Sequence, residues 1–283
     1  MIAIQLAPGS AVTEDALWVT QPGGNAVMRI DARNNTPSAP IVTGAAPCAS
    51  LAAVGDALWV PQCDAGKLSR LSIKGGNVSA SMPLPIVTPA GSIAHAVGSI
   101  WALTESKGVL SRIDPDINLV VAEAYVAGKP AAVMSGGDAL WVTSEDGDLV
   151  TRIDPFTNAI VATIKVGPRP GRIVFGEGAV WTLNRGDGSV SRVDAKSNKV
   201  TTTIAVSESI AHGDIAVGEG SVWISADGVP ITRIDPATNR VVQRFPGTGG
   251  GAIVVAHGSV WVSAGPKVTW RLDPKLIAAL RPE

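Results

Sequence analysis

Seven tryptophans, each preceded by an aliphatic residue, recur along the chain at Trp18, Trp59, Trp101, Trp141, Trp181, Trp223 and Trp261, with spacings of 41, 42, 40, 40, 42 and 38 residues. Ten or eleven residues after each stands an arginine: Arg29, Arg70, Arg112, Arg152, Arg192, Arg233 or Arg271. Two positions further comes Asp31, Asp114, Asp154, Asp194, Asp235 or Asp273, with Ser72 the single exception. A period of about 40 residues is the length of one four-stranded propeller blade. The fourth unit shows the strands as roughly 132–135, 139–143, 149–154 and 159–166. Pairs such as Gly137-Asp138 and Glu219-Gly220 link the first two strands, where a tight hairpin needs positive φ. Asp-Pro-x-x-Asn turns, as in Asp154–Asn158, link the last two.

The expectation is therefore an all-β fold, a seven-bladed β-propeller of four-stranded antiparallel blades, forming a single domain over residues 1–283. The last unit ends at Val268–Pro274 without a clear fourth strand, whereas Ile2–Leu6 reads as that missing strand. The ring is thus expected to close by pairing of the N- and C-terminal strands. The rival is an outer strand made from Leu276–Leu280.

Composition sets limits on partners. The 283 residues carry 23 basic and 24 acidic side chains scattered along the chain. That is no electrostatic footprint for duplex nucleic acid, so no nucleic-acid partner is expected. No apolar run reaches about 18 residues, so no transmembrane helix is expected. Met1–Leu6 lacks the basic region and apolar core of a secretion signal. The fold offers no oligomerisation signature, and a monomer is expected.

The segments Trp181–Asp194 and Arg233–Val242 carry a resemblance to YVTN-repeat propellers and to the related streptogramin (virginiamycin B) lyase-like propellers. It extends over nearly the whole chain. In such lyases a catalytic histidine on the inner part of a late blade acts with a glutamate and a carboxylate-held divalent metal. Ala211-His212-Gly213-Asp214-Ile215 is similar to the family's Pro-His-Gly-Ile strand start, which makes His212 the matching base. The family's Trp-Phe-Thr-Glu reads here Trp223-Ile224-Ser225-Ala226, and the nearest acid is Asp227.

A repeated residue is read as architecture, so candidates for function lie where one blade differs from the rest. Eleven positions before each tryptophan stand Ala7, Cys48, Ala90, Pro130, Pro170, His212 and Gly250, with His212 the outlier. A histidine near neutral pH among carboxylates suits a general base. The competing reading is a solvated polar rim. Around this column, on blades four to six, lie Lys129, Arg169, Arg172, Asn184, Arg185, Asp187, Glu145 and Asp227, a set suited to a polar or anionic small ligand or to a protein partner. Asp146-Gly147-Asp148 reads either as a turn or as ligands for a hard cation such as Mg or Ca. No cofactor is certain. His95 and His257 read as structural. No His-x-x-x-His pair, Gly-x-Ser-x-Gly elbow or phosphate loop is present.

Cys48 and Cys63 are the only cysteines. With Gly55-Asp56 as the hairpin turn, Cys48 falls opposite Cys63, within disulfide range. A disulfide there implies an oxidising compartment, periplasmic or extracellular. The sequence reading is thus a secreted bacterial binding propeller, with a metal-dependent lyase or lactonase using His212 as the alternative.

Overall fold

The computed structural model describes residues 2–48, 50–86, 92–105, 107–265 and 267–280, the Glu105 side chain excepted. The fold is a seven-bladed β-propeller. Seven small antiparallel sheets follow one another along the chain, each built from strands consecutive in sequence. Six have four strands and the last has three. The blades fall into two compact units, residues 9–163 and residues 1–8 with 164–283.

The repeat acts through strand register. Each tryptophan lies directly opposite its own arginine on the neighbouring strand, from Trp18 with Arg29 to Trp261 with Arg271. Every one of these rings is 0–1 % exposed. In five blades the guanidinium stands 4.8–5.8 Å from the ring centroid. In six blades the indole N–H closes back on the hairpin, as in Trp181 to the Gly176 carbonyl at 3.1 Å and Trp223 to Gly218 at 3.0 Å, whereas Trp59 Nε1 is buried without a partner. The rings of Trp18, Trp59, Trp101, Trp181 and Trp223 also enter the core of the following blade. Trp59 packs among Ile93, Ile100 and Ile113, and Trp181 among Ile215, Val222 and Ile234. A buried aromatic of this size dominates the packing energy of its surroundings.

The turns follow the same economy. Five of the hairpin links hold both residues at positive φ, as in Glu177 (51°) with Gly178 (71°) and His257 (52°) with Gly258 (64°). That geometry matches the strand twist. The aspartate after each arginine caps the next turn: Asp154 Oδ1 accepts from Phe156 N–H at 2.8 Å, and the bond holds its carboxyl below the usual range. Ser72 departs in type only, since its Oγ accepts from Gly75 N–H at 2.9 Å. The arginine can then reach the following blade's turn. Arg192 Nη1 donates to the Pro236 carbonyl and to Asn239 Oδ1, both at 2.7 Å.

Two expectations need refinement at the ends. The seventh sheet is Ile253–Ala256, Ser259–Gly265 and Val268–Leu272, and its fourth position is a single antiparallel bridge from Ile2 to Thr269. Their backbones exchange bonds of 2.9 and 3.0 Å, and Thr269 Oγ1 donates to the Ile4 carbonyl at 2.7 Å. Ile2, Ile4 and Leu6 are buried. The rival strand is replaced by a helix, Pro274–Ala279, capped at its start by Asp273. The Cys48–Cys63 disulfide is present with Cα atoms 5.9 Å apart, but it sits beyond both strand ends. The strands stop at Ala52 and Gln62, and Cys63 begins a 3-10 turn.

Removing residues 2–6 exposes the apolar groups they cover and should lower stability by about 5 kcal/mol, or roughly 10 °C in Tm. An unchanged melting curve would show that the Ile2 bridge contributes nothing. Denatured, unreduced protein treated with an alkylating agent should gain no mass at Cys48 or Cys63; addition of two groups would mean free thiols.

Candidate functional site

His212 ends up beside Asp227 because the sixth blade's first hairpin dictates it. The strands Gly213–Gly218 and Ser221–Ala226 pair with Gly213 opposite Ala226, so the next pair outward is His212 and Asp227. Gly213 allows this approach: a side chain there would press on Ile210, on Leu183 and on the Ser225 carbonyl. His212 Nδ1 lies 3.2 Å from Asp227 Oδ2, with side chains 81 % and 67 % exposed. A carboxylate on Nδ1 leaves Nε2 to the outside as a proton acceptor. Both residues line a cavity of about 260 Å³. Its walls are Val206, Ile210, Ile224 and Val229, with Ser207, Ser209, Thr232 and Arg244 as polar groups. Arg244 is anchored by donating to the Val206 carbonyl.

A second cluster was only half visible in the sequence. Nine positions before the tryptophans stand Gly9, Ser50, Ser92, Ala132, Arg172, Asp214 and Ala252. The serines accept an inner-strand N–H from the following blade: Ser50 Oγ from Ile93 at 2.9 Å, and Ser92 Oγ from Val133 at 3.2 Å. Arginine has no acceptor, so Arg172 cannot serve blade six in this way. Asp214 instead binds Ile215 N–H through Oδ1 at 3.1 Å and Ile253 N–H through Oδ2 at 3.4 Å. One carboxylate thus caps two strands. It is 7 % exposed, and Arg172 Nε lies 3.8 Å from its Oδ1. Burial pushes this carboxyl up to about 6, against the downward pull of Arg172, the two N–H bonds and Arg185. The Asp214 signal lies in that column, two positions on from the one that holds His212.

The other expected site residues are each held within their own blade. Lys129 and Glu145, on blade four, pair with each other at 3.2 Å. Asn184 is fully buried, and its Nδ2 donates to Ser189 and Ser191 Oγ, each at 2.9 Å. Its amide locks the hairpin of blade five. Asp187 accepts from the Ser189 N–H and Oγ, in a turn-capping role. Arg169 sits at φ 52°, and its carbonyl receives Arg185 N–H at 3.0 Å. The Arg185 guanidinium lies over Gly171, where any Cβ would overlap it. His95 is half-buried in an inner strand, where burial lowers its pKa. Among the described residues no three His, Cys, Asp or Glu side chains converge as a metal set. His212 with Asp227 offers two donors, which does not fit a carboxylate-held divalent ion.

The profile of the virginiamycin B lyase family matches residues 7–265. The chain superimposes on a streptogramin B lyase structure with TM-score 0.78 and 19 % identity, covering 95 % of this chain and 93 % of that one. It superimposes on virginiamycin B lyase from Staphylococcus aureus with TM-score 0.79 and 20 % identity, covering 94 % of each. A catalytically inactive His-to-Ala variant of the same Staphylococcus aureus enzyme, with quinupristin, gives TM-score 0.78, 20 % identity and 94 % coverage of each chain. At these identities the likeness is one of fold. No curated protein sequence matches the chain significantly.

Asp214 generates a pH signature. A carboxyl raised from 3.8 to about 6 favours the folded state fully below pH 3.8, and that contribution is lost as pH rises through about 6. Relative to Asp214→Asn, wild-type protein should lose up to about 3 kcal/mol of stability between pH 3.5 and pH 7. Parallel stability curves for the two proteins in urea would refute the assignment.

Proposed function

The chain belongs to the virginiamycin B lyase family, and from that premise we propose that it is an extracytoplasmic propeller that binds a small polar ligand in the cavity beside His212. The observation that carries this reading is the cavity itself. About 260 Å³ with an apolar floor and a few convergent polar groups, His212 and Asp227 at its edge, is the usual form of a small-molecule site. The disulfide supports an oxidising compartment.

A second reading rests on the 3.2 Å contact between His212 and Asp227. A histidine oriented by a carboxylate is a competent general base, and lyase chemistry of the kind named for the relatives begins with proton removal. In that reading His212 Nε2 takes the proton and Asp227 steadies the imidazolium. The residues present supply no metal set, so no step is routed through one.

Thermal shift against quinupristin, simple lactones and small hydroxy acids separates the two. A ligand at one hundred times its Kd should add about 2.7 kcal/mol of stability. The shift should vanish in Ser209→Trp, which fills the cavity. If His212→Ala keeps the shift and wild type turns nothing over, the binding reading stands. Turnover that disappears in His212→Ala would establish the enzyme. No shift with any ligand, and no difference in Ser209→Trp, would remove the cavity from consideration.

A further inference from the structure

We propose that the cavity beside His212 takes a small carboxylic acid in its anionic form, with Arg244 as the residue that reads the carboxylate. This deepens the binding reading above and rests on it.

The cavity has an origin in the repeat. Three positions after the tryptophans stand Gln21, Gln62, Thr104, Ser144, Asn184, Ala226 and Ala264. One position before the arginines of blades two to six stand Ser69, Ser111, Thr151, Ser191 and Thr232. In blades two, three and five the first residue bonds the second and fills the space between their strands. Ser69 Oγ donates to Gln62 Oε1 at 3.1 Å, the Thr104 and Ser111 hydroxyls lie 2.7 Å apart, and Asn184 Nδ2 donates to Ser191 Oγ at 2.9 Å. Ala226 has neither the length nor a polar atom to do the same for Thr232. Ala226 and Thr232 both line the cavity of about 260 Å³, which opens where this plug is missing.

Blade six departs a second time at the same level. The outer-strand residues opposite those hydroxyls include Ser81, Glu123, Thr203 and Arg244. Of these four only Arg244 is a cation, and it too lines the cavity. It donates to the Val206 carbonyl, a neutral acceptor that holds the guanidinium without balancing its charge. A guanidinium carries five donors, so one such bond leaves a fork for two carboxylate oxygens. The acid in the lining, Asp227, is engaged by His212 at 3.2 Å. Val206, Ile210, Ile224 and Val229 make the remaining walls apolar, which favours a carbon body over a bare inorganic ion. The volume lies below the roughly 300–1,000 Å³ of drug-sized sites, so the acid is a short one.

The probes are ω-hydroxy carboxylates of four to eight carbons, each titrated calorimetrically into the full chain beside its uncharged amide. The tightest acid should bind roughly tenfold or more tightly than its amide, the worth of one charge-assisted contact. Arg244→Met should remove that preference and leave the amide's affinity unchanged. Should Arg244→Met fail to fold, Arg244→Gln keeps a donor for the Val206 carbonyl and carries the same comparison. Ala226→Asn, which restores the plug of blade five, should abolish binding of acid and amide alike. Equal affinity for the two in wild type overturns the carboxylate assignment and leaves the cavity reading standing, as does an acid preference that survives in the folded Arg244 variant. No binding of any probe, or unchanged binding in a folded Ala226→Asn, overturns both.

Discussion

The structure depends on the tryptophan that stands opposite an arginine at the middle of every blade. One residue pair does three jobs. In blade five, for example, the Trp181 indole fills the space towards the next sheet, its N–H ties the first hairpin, and the Arg192 guanidinium covers its face while reaching outwards. Because the pair is cross-strand, it also fixes register: a slip of one residue would turn the ring away from the core. Everything nearer the start of the inner strands, including the residues with chemical potential, inherits its position from this pairing.

How far the sequence could be read follows from that dependence. The Trp–Arg–Asp period revealed blade number, hairpins and turns, and Ser72 showed that the turn position asks for an oxygen acceptor more than for a charge. The meeting of His212 and Asp227 was legible too, since counting outwards from Gly213 and Ala226 leads directly to it. Asn184 occupies a variable column at the end of a strand, where polar residues usually face water, and its burial is not legible there. In this blade Ser189 and Ser191 supply a buried polar cage, and no single position announces that. The length of the first strand in blade two also escaped notice, so the cysteines were placed in a ladder that ends before reaching them.

Seven near-equivalent units make departures informative. At the position nine before each tryptophan, Ser50 and Ser92 meet the inner-strand N–H of the following blade with a neutral oxygen. Asp214 meets it with a carboxylate. That places a titratable carboxyl on the blade that carries His212. Blades two and three hold the same position with serine. A propeller thus separates maintenance from function within each blade: shared columns hold the sheets, and single exceptions are free to acquire chemistry.

The bridge between Ile2 and Thr269 has a kinetic side. Its side-chain bond joins residues 265 positions apart, among the longest separations the chain possesses. Contacts so distant in sequence form only after the segments between them have ordered, because the entropy of closing that loop must first be offset. Chain ends open at low free energy, so this seam is the natural place for the fold to breathe. Amide protons of Ile2 and Thr269 therefore belong to the last-formed and first-opened part of the molecule, while those beside the tryptophans report on its global unfolding.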